Sequence, residues 1–242
     1  MQYDFASREW PDPAYRPRLR VRYVGGGVPT ATPTWTPTPT ATPTRTATAP
    51  AATATPTWTA TVPAGQPQEV VLPVVKDAYI SVWYPSSNFG ANSLLGIRPE
   101  DVSAALFQFD LSPLPVGVQV LSATVELWVQ RQSNVHALTA STYQVLRGWE
   151  ERAVTWNQAT GSVAWQGAGC NGLGDRVQTA TATQVMDASG RWYAFDVTAM
   201  VQGWVQGQAN HGLIVKASGR VSVQYDFASR EWPDPAYRPR LR

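Results

Sequence analysis

From residue 68 onward, apolar and β-branched runs of four to seven residues alternate with turn clusters. That spacing predicts short β-strands. The runs are Val70–Val75, Ala78–Trp83, Ala104–Phe109, Ala123–Val129, Ala140–Leu146, Trp192–Phe195, Gly212–Ala217 and Val221–Phe227. In the last, Val221, Val223, Tyr225 and Phe227 fall on one face and Ser222, Gln224 and Asp226 on the other, the pattern of a half-buried strand. Turn residues stand between runs at Pro85-Ser86-Ser87-Asn88, Asn171-Gly172 and Ala188-Ser189-Gly190. One helix is predicted over Ala199–Gln206, with Thr198 as its cap and Met200, Val201, Trp204 and Val205 as its apolar stripe. Eight or more short strands and one helical connection predict an all-β fold, a two-sheet jelly-roll sandwich.

The pattern stops at residues 25–67. This tract opens on Gly25-Gly26-Gly27 and then consists almost wholly of Thr, Pro and Ala. It lacks the large apolar side chains needed for a core. Frequent proline predicts an extended, polyproline-II-like linker, on the order of 120 Å long at about 3.1 Å per residue. Thr/Pro tracts are also typical O-glycosylated stalks, which makes Thr34, Thr36, Thr38 and Thr40 candidate glycan carriers. Trp35 and Trp58 sit in near-identical settings, TPTWTPT and TPTWTAT, and are expected to dock against protein or glycan.

The chain also repeats itself. Gln2–Arg20 reads QYDFASREWPDPAYRPRLR, and Gln224–Arg242 reads the same, 222 residues later. Chance does not produce such a match, and repetition has to be read before fold is assigned. The leading copy continues Val21-Arg22-Tyr23-Val24, with Leu19, Val21 and Tyr23 on one face and Arg18, Arg20 and Arg22 on the other. Three zones follow: a strand segment at 1–24, the linker at 25–67 and the domain at 68–242. The repeat predicts head-to-tail assembly, with Tyr3, Phe5, Leu19, Val21 and Tyr23 buried as donated strands in another copy. The equivalent expectation for a tandem array is that Val-Arg-Tyr-Val-Gly follows Arg242 in the gene.

Composition narrows the function. Charged residues are 15% of 242, the net charge is +2, and the 19 basic residues are 17 Arg and 2 Lys. No basic field marks a nucleic-acid surface. No apolar stretch approaches the roughly 18 residues that span a bilayer. Met1-Gln2-Tyr3-Asp4 has neither the basic nor the apolar region of a signal peptide, so an exported protein would start upstream. A single cysteine, Cys170, excludes an intrachain disulfide framework and reads as a small buried residue.

Catalytic constellations are missing from the sequence. His136 and His211 lie far apart, and no Ser-His-Asp, Cys-His or zinc spacing occurs. Glu150-Glu151 are adjacent, so on an extended segment they point apart and read as structural. Asp77, Asp110 and Asp196 stand at strand ends beside turns. They are weak calcium candidates, and their plainer role is to accept backbone N–H groups. Calcium is thus the single cofactor candidate. Of eleven tryptophans, Trp149, Trp156 and Trp204 read as packing, while Trp83, Trp128, Trp165 and Trp192 are open to either packing or sugar stacking.

The order of short motifs resembles the DNRLRE-type domains, jelly-roll modules related to certain carbohydrate-binding modules. The residues that carry the resemblance are Asp77-Ala78-Tyr79-Ile80, Tyr84-Pro85 with Asn88-Phe89-Gly90, and Phe107–Ser112. Further along come Ser122-Ala123-Thr124, Trp149-Glu150-Glu151, Val154-Thr155-Trp156-Asn157, Phe195–Thr198 with Val201 and Trp204, and His211–Ile214. The close is Phe227–Glu231 with Arg238-Pro239-Arg240-Leu241. The resemblance implies a non-catalytic module of secreted and cell-surface proteins, often in tandem, some of whose relatives bind polysaccharide. Together with the repeat, it predicts an extracellular structural protein, the repeating unit of a filament or surface fibre. The alternative is a carbohydrate-binding module on a spacer. The expected partners are other copies of the chain and polysaccharide.

Overall fold

A computed structural model of the chain describes residues 21–24 and 66–241. The described residues form an antiparallel β-sandwich of twelve strands with one short helix. The strands are β1 (Val21–Val24), β2 (Gln68–Val70), β3 (Leu72–Ser81), β4 (Leu94–Ile97), β5 (Ser103–Phe109) and β6 (Gln119–Gln132). They continue as β7 (Leu138–Gln144), β8 (Ala182–Met186), β9 (Arg191–Asp196), β10 (Leu213–Ser218), β11 (Tyr225–Ala228) and β12 (Arg240–Leu241). Helix α1 spans Thr198–Val205. One layer runs β4-β11-β6-β9 and the other β3-β5-β10-β7-β8.

The main core lies between these layers. β6 alternates, sending Val125, Leu127 and Val129 inward and Glu126, Trp128 and Gln130 outward. Phe107 of β5 meets Phe227 of β11 edge-on, with ring centroids 6.4 Å apart. A second core lies on the far side of β3-β5-β10, where Trp149, Val154, Trp156, Trp165 and Cys170 cover Ile80, Leu106 and Ile214. β5 is therefore buried on both faces, which is why it reads Ala-Ala-Leu-Phe without alternation. β3 serves both cores by means of a bulge. Its register with β5 shifts between Val74 and Lys76. Before the shift Leu72 and Val74 face the main core, and after it Ala78 and Ile80 face the second.

Several sequence expectations change in detail. Val70–Val75 and Ala78–Trp83 are largely one strand, β3, because the bulge carries the chain through the intervening charges. Trp83 lies beyond its end. In the closing run, strand pairing begins at Tyr225, not Val221, and Asp226 is buried because Arg131 neutralises it at 2.5 Å. Thr198 does not cap α1. Its hydroxyl instead accepts the Ala123 N–H at 2.9 Å, while Asp196 holds the Thr198 N–H at 2.9 Å.

The ends of the described chain meet on β6. β12 pairs with β6 as Leu241↔Val125, and β1 pairs with it as Val21↔Ala123 and Arg22↔Ser122. Val21 and Tyr23, expected inside another copy, are buried here against their own domain. Tyr3, Phe5 and Leu19 lie outside the described residues. β1 also pairs with β2, with Tyr23 opposite Gln68. The residues that flank positions 25–67 therefore lie at one edge of the sheet.

Candidate functional site

The strand β3 ends at Ser81, and the loop that follows presents Val82, Trp83 and Tyr84 to solvent. Trp83 is 57% exposed and Tyr84 58%, the most exposed aromatic rings among the described residues. They are held in place from beneath. Phe89 stacks on Tyr79 at 4.2 Å and 13°, and Tyr84 meets the edge of Phe89 at 6.0 Å. The Arg98 guanidinium lies over the Trp83 ring, 4.5 Å from its centroid. Gly90 allows this loop to close, since a Cβ there would stand 1.9 Å from the Glu151 carbonyl oxygen.

A polar cleft of about 410 Å³ adjoins this aromatic ledge. Tyr79 forms one wall, Asn92 and Ser93 another, and Arg131, Gln224 and Asp226 project from the sheet. Gly96 keeps the floor low, because a Cβ would come within 3.0 Å of Asp226 Oδ1. The polar groups are organised in advance. Arg131 Nε pairs with Asp226 Oδ2 at 2.5 Å, and Gln224 Nε2 donates to Asp226 Oδ1 at 2.7 Å. Arg98 joins ledge and cleft, donating to Ser222 Oγ at 2.8 Å and to Gln224 Oε1 at 3.4 Å. An aromatic ledge beside a fixed array of donors and acceptors is a surface suited to sugar rings, which offer an apolar face and a rim of hydroxyls.

A second aromatic group is packing. Trp128 and Trp192 project from the outer face of β6 and β9, 5.6 Å apart and inclined at 65°. Their ring faces are already covered. Tyr237 lies 4.3 Å from Trp128, and the Arg240 guanidinium lies 3.6 Å over Trp192 while pairing with Glu126 at 2.6 Å. Both covering residues belong to the trailing copy of the repeat, so this patch clamps the closing segment onto the sheet. Trp149, Trp156 and Trp204 are buried as their motifs implied, and Trp165, which the sequence left open, is buried too.

Asp77, Asp110 and Asp196 do not converge. Asp110 accepts from the Ser112 N–H and hydroxyl, and Asp196 from the Thr198 N–H and hydroxyl. Asp77 instead joins Glu151 and Glu231, the one group of three metal-competent side chains among the described residues. A cation from the chain already stands there. Arg230 Nε pairs with Glu151 at 2.7 Å and with Glu231 at 2.9 Å, and the Arg230 N–H donates to Asp77 Oδ2 at 2.6 Å. No donor reaches Asp77 Oδ1. Burial, and then the charge on Glu231, raises the Asp77 pKa well above its ordinary value. The cluster joins the trailing copy to β3 and to the loop at Glu151. Glu150 is separate and accepts the Gly161 N–H at 3.3 Å. Cys170 is fully buried, and desolvation pushes its thiol up to about 12. Burial also lowers the pKa of His211, whose carbonyl accepts the Trp149 indole N–H at 2.9 Å.

The family model for carbohydrate-binding module family 96 matches residues 68–167 and 174–241. The chain belongs to carbohydrate-binding module family 96. The match covers the entire sandwich apart from β1 and the turn at 168–173 that carries Cys170. This family is one of non-catalytic binding modules. No curated protein matches the chain. Among the described residues no helix is long and apolar enough to cross a membrane. The sequence set Trp149, Trp156 and Trp204 apart as packing but did not divide Trp83, Trp128, Trp165 and Trp192. Trp83 stands out only once the loop after β3 is seen to turn away from both cores.

Proposed function

We propose that the domain binds a polysaccharide along the Trp83–Tyr84 ledge, with sugar hydroxyls bonded in the cleft of Asn92, Ser93, Arg131, Gln224 and Asp226. The observation that carries this reading is the pair of half-exposed rings braced beside pre-paired polar groups in a carbohydrate-binding module. Removing one stacking ring is expected to cost about 1–2 kcal/mol, roughly 5- to 30-fold in affinity. Affinity electrophoresis over a panel of neutral and acidic polysaccharides tests it. Trp83→Ala and Tyr84→Ala lower retention on the polysaccharide that retards the wild type, and Trp128→Ala does not. Equal retention of all three folded variants refutes the site.

A second reading has its own support. Arg240–Leu241 of the trailing copy and Val21–Val24, which follow the leading copy in sequence, pair with the same strand, β6, and this favours a unit of a tandem or head-to-tail surface fibre. In that setting the domain is an extracellular or cell-surface module, and the Thr/Pro tract is a spacer with O-glycans at Thr34, Thr36, Thr38 and Thr40 and with Trp35 and Trp58 docked. An intact mass equal to the bare 26.4 kDa would refute the glycans.

A further inference from the structure

We propose that the edge of β6 from Ala123 to Gln119 is an acceptor for the leading segment of a second copy of this chain, which enters as one unbroken closing strand. The inference rests on the self-assembly reading above and names the surfaces that would carry it.

The argument is one of register. β12 and β1 both run antiparallel to β6 and lie end to end along the same side of it. Leu241 stands opposite Val125 and Val21 opposite Ala123, so a single β6 position, Thr124, separates them. Alternation also continues across the join. Leu241, Val21 and Tyr23 face the core, whereas Arg240 and Arg22 face outward. A strand reading Leu-Arg-Val-Arg-Tyr would pass through this place with one Arg opposite Thr124. The leading segment contains that strand whole, as Leu19-Arg20-Val21-Arg22-Tyr23. The domain assembles it from two pieces, and Arg20 and Arg242 have equal claim to the one intervening place.

The remainder of the groove is equally matched. Residues 224–241 fill it through β11, the Arg230 cluster, the Tyr237–Arg240 clamp and β12. Residues 2–19 have the identical sequence. A second copy that places residues 2–24 in the groove makes every one of these contacts again and keeps the strand continuous. Such exchange of identical elements is a low-cost route to association. Donor segment and acceptor groove are different surfaces, so the contact is heterologous and repeats in an open chain. Extraction of the resident segment makes the exchange slow and concentration-dependent.

Cysteine pairing on the full chain tests this directly. Arg22 and Ser122 face each other across β1 and β6 and are both exposed. The double variant Arg22→Cys/Ser122→Cys reports closure from within a chain. Mixed single variants, Arg22→Cys with Ser122→Cys, can form a 22–122 disulfide only between chains. After joint refolding at high concentration and oxidation, peptide mapping is expected to find that interchain disulfide, with dimers and longer species in light scattering. A double variant that closes wholly within monomers, with no 22–122 disulfide in the mixture, overturns the proposal. Oligomers without that disulfide also overturn it, while leaving self-assembly through another surface. Absence of any oligomer removes both. Polysaccharide retention does not decide between these outcomes, because an exchanged groove supplies Gln2 and Asp4 in the places of Gln224 and Asp226.

Discussion

Replacing Asp77 by Asn should stabilise the domain at neutral pH, although the residue is fully buried. Asp77 Oδ2 accepts the Arg230 N–H at 2.6 Å, which an Asn oxygen can also do. Its other oxygen has no donor, and Glu231 and Glu151 approach within 4.8 Å. An Asn amide at that position would donate toward Glu231 without a proton having to be taken up first. The expected gain is about 1–3 kcal/mol, roughly 2–10 °C in Tm for a domain of this size. Its pH dependence follows from the raised pKa, which burial causes first and Glu231 second. The folded state retains a proton that the unfolded chain releases near pH 4. The associated stability is complete below about pH 4 and is lost as pH rises through the raised folded value. The advantage of Asp77→Asn should therefore be absent near pH 3 and grow toward pH 8. Thermal unfolding followed by circular dichroism from pH 3 to 8, with and without chelator, measures it. A variant destabilised by a constant amount across that range would refute the reasoning. Destabilisation that chelator reproduces in the wild type would show that Asp77 is ionised and holds a cation.

Glycine replacements should divide by space. Gly212→Ala forces a Cβ to 2.0 Å from the Phe107 carbonyl oxygen at φ +79°, whereas Gly117→Ala at φ +72° meets nothing within 4 Å. Urea titration should show a loss above about 3 kcal/mol for the first and about 1 kcal/mol for the second. Phe107→Ala, which opens the main core beneath Phe227, should cost about 3–5 kcal/mol in the same assay. Cys170 should resist a thiol reagent in the folded protein at pH 8 and react at once in denaturant, because burial holds its pKa at about 12.

Much of this fold is written locally. β6, β9 and β10 follow from period-two alternation or from apolar runs, and α1 from its Met200, Val201 and Trp204 stripe. The repeat marked the closing segment before any strand was placed, and an all-β sandwich followed from the number of short runs. Two strands left no such signal. β4 is four residues, Leu94–Ile97, between Ser93 and Arg98, and β8 is an exposed edge in which only Met186 is buried. What pairs them is the neighbouring strand, β11 for the first and β7 for the second.

The site was decided by tertiary structure. A bulge beside Lys76 reverses which residues of β3 face the main core. That reversal puts Tyr79 at the cleft and Asp77 against residues 151 and 231, more than seventy positions away in sequence. Local pattern reports whether a side chain prefers burial, and so it separated strands from linker. It does not report which distant side chain arrives beside it. Motif context marked Trp149 as packing but left Trp83 and Trp128 alike. Only packing leaves Trp83 open to solvent and covers Trp128 with Tyr237, because those outcomes depend on contacts made across the whole length of the domain.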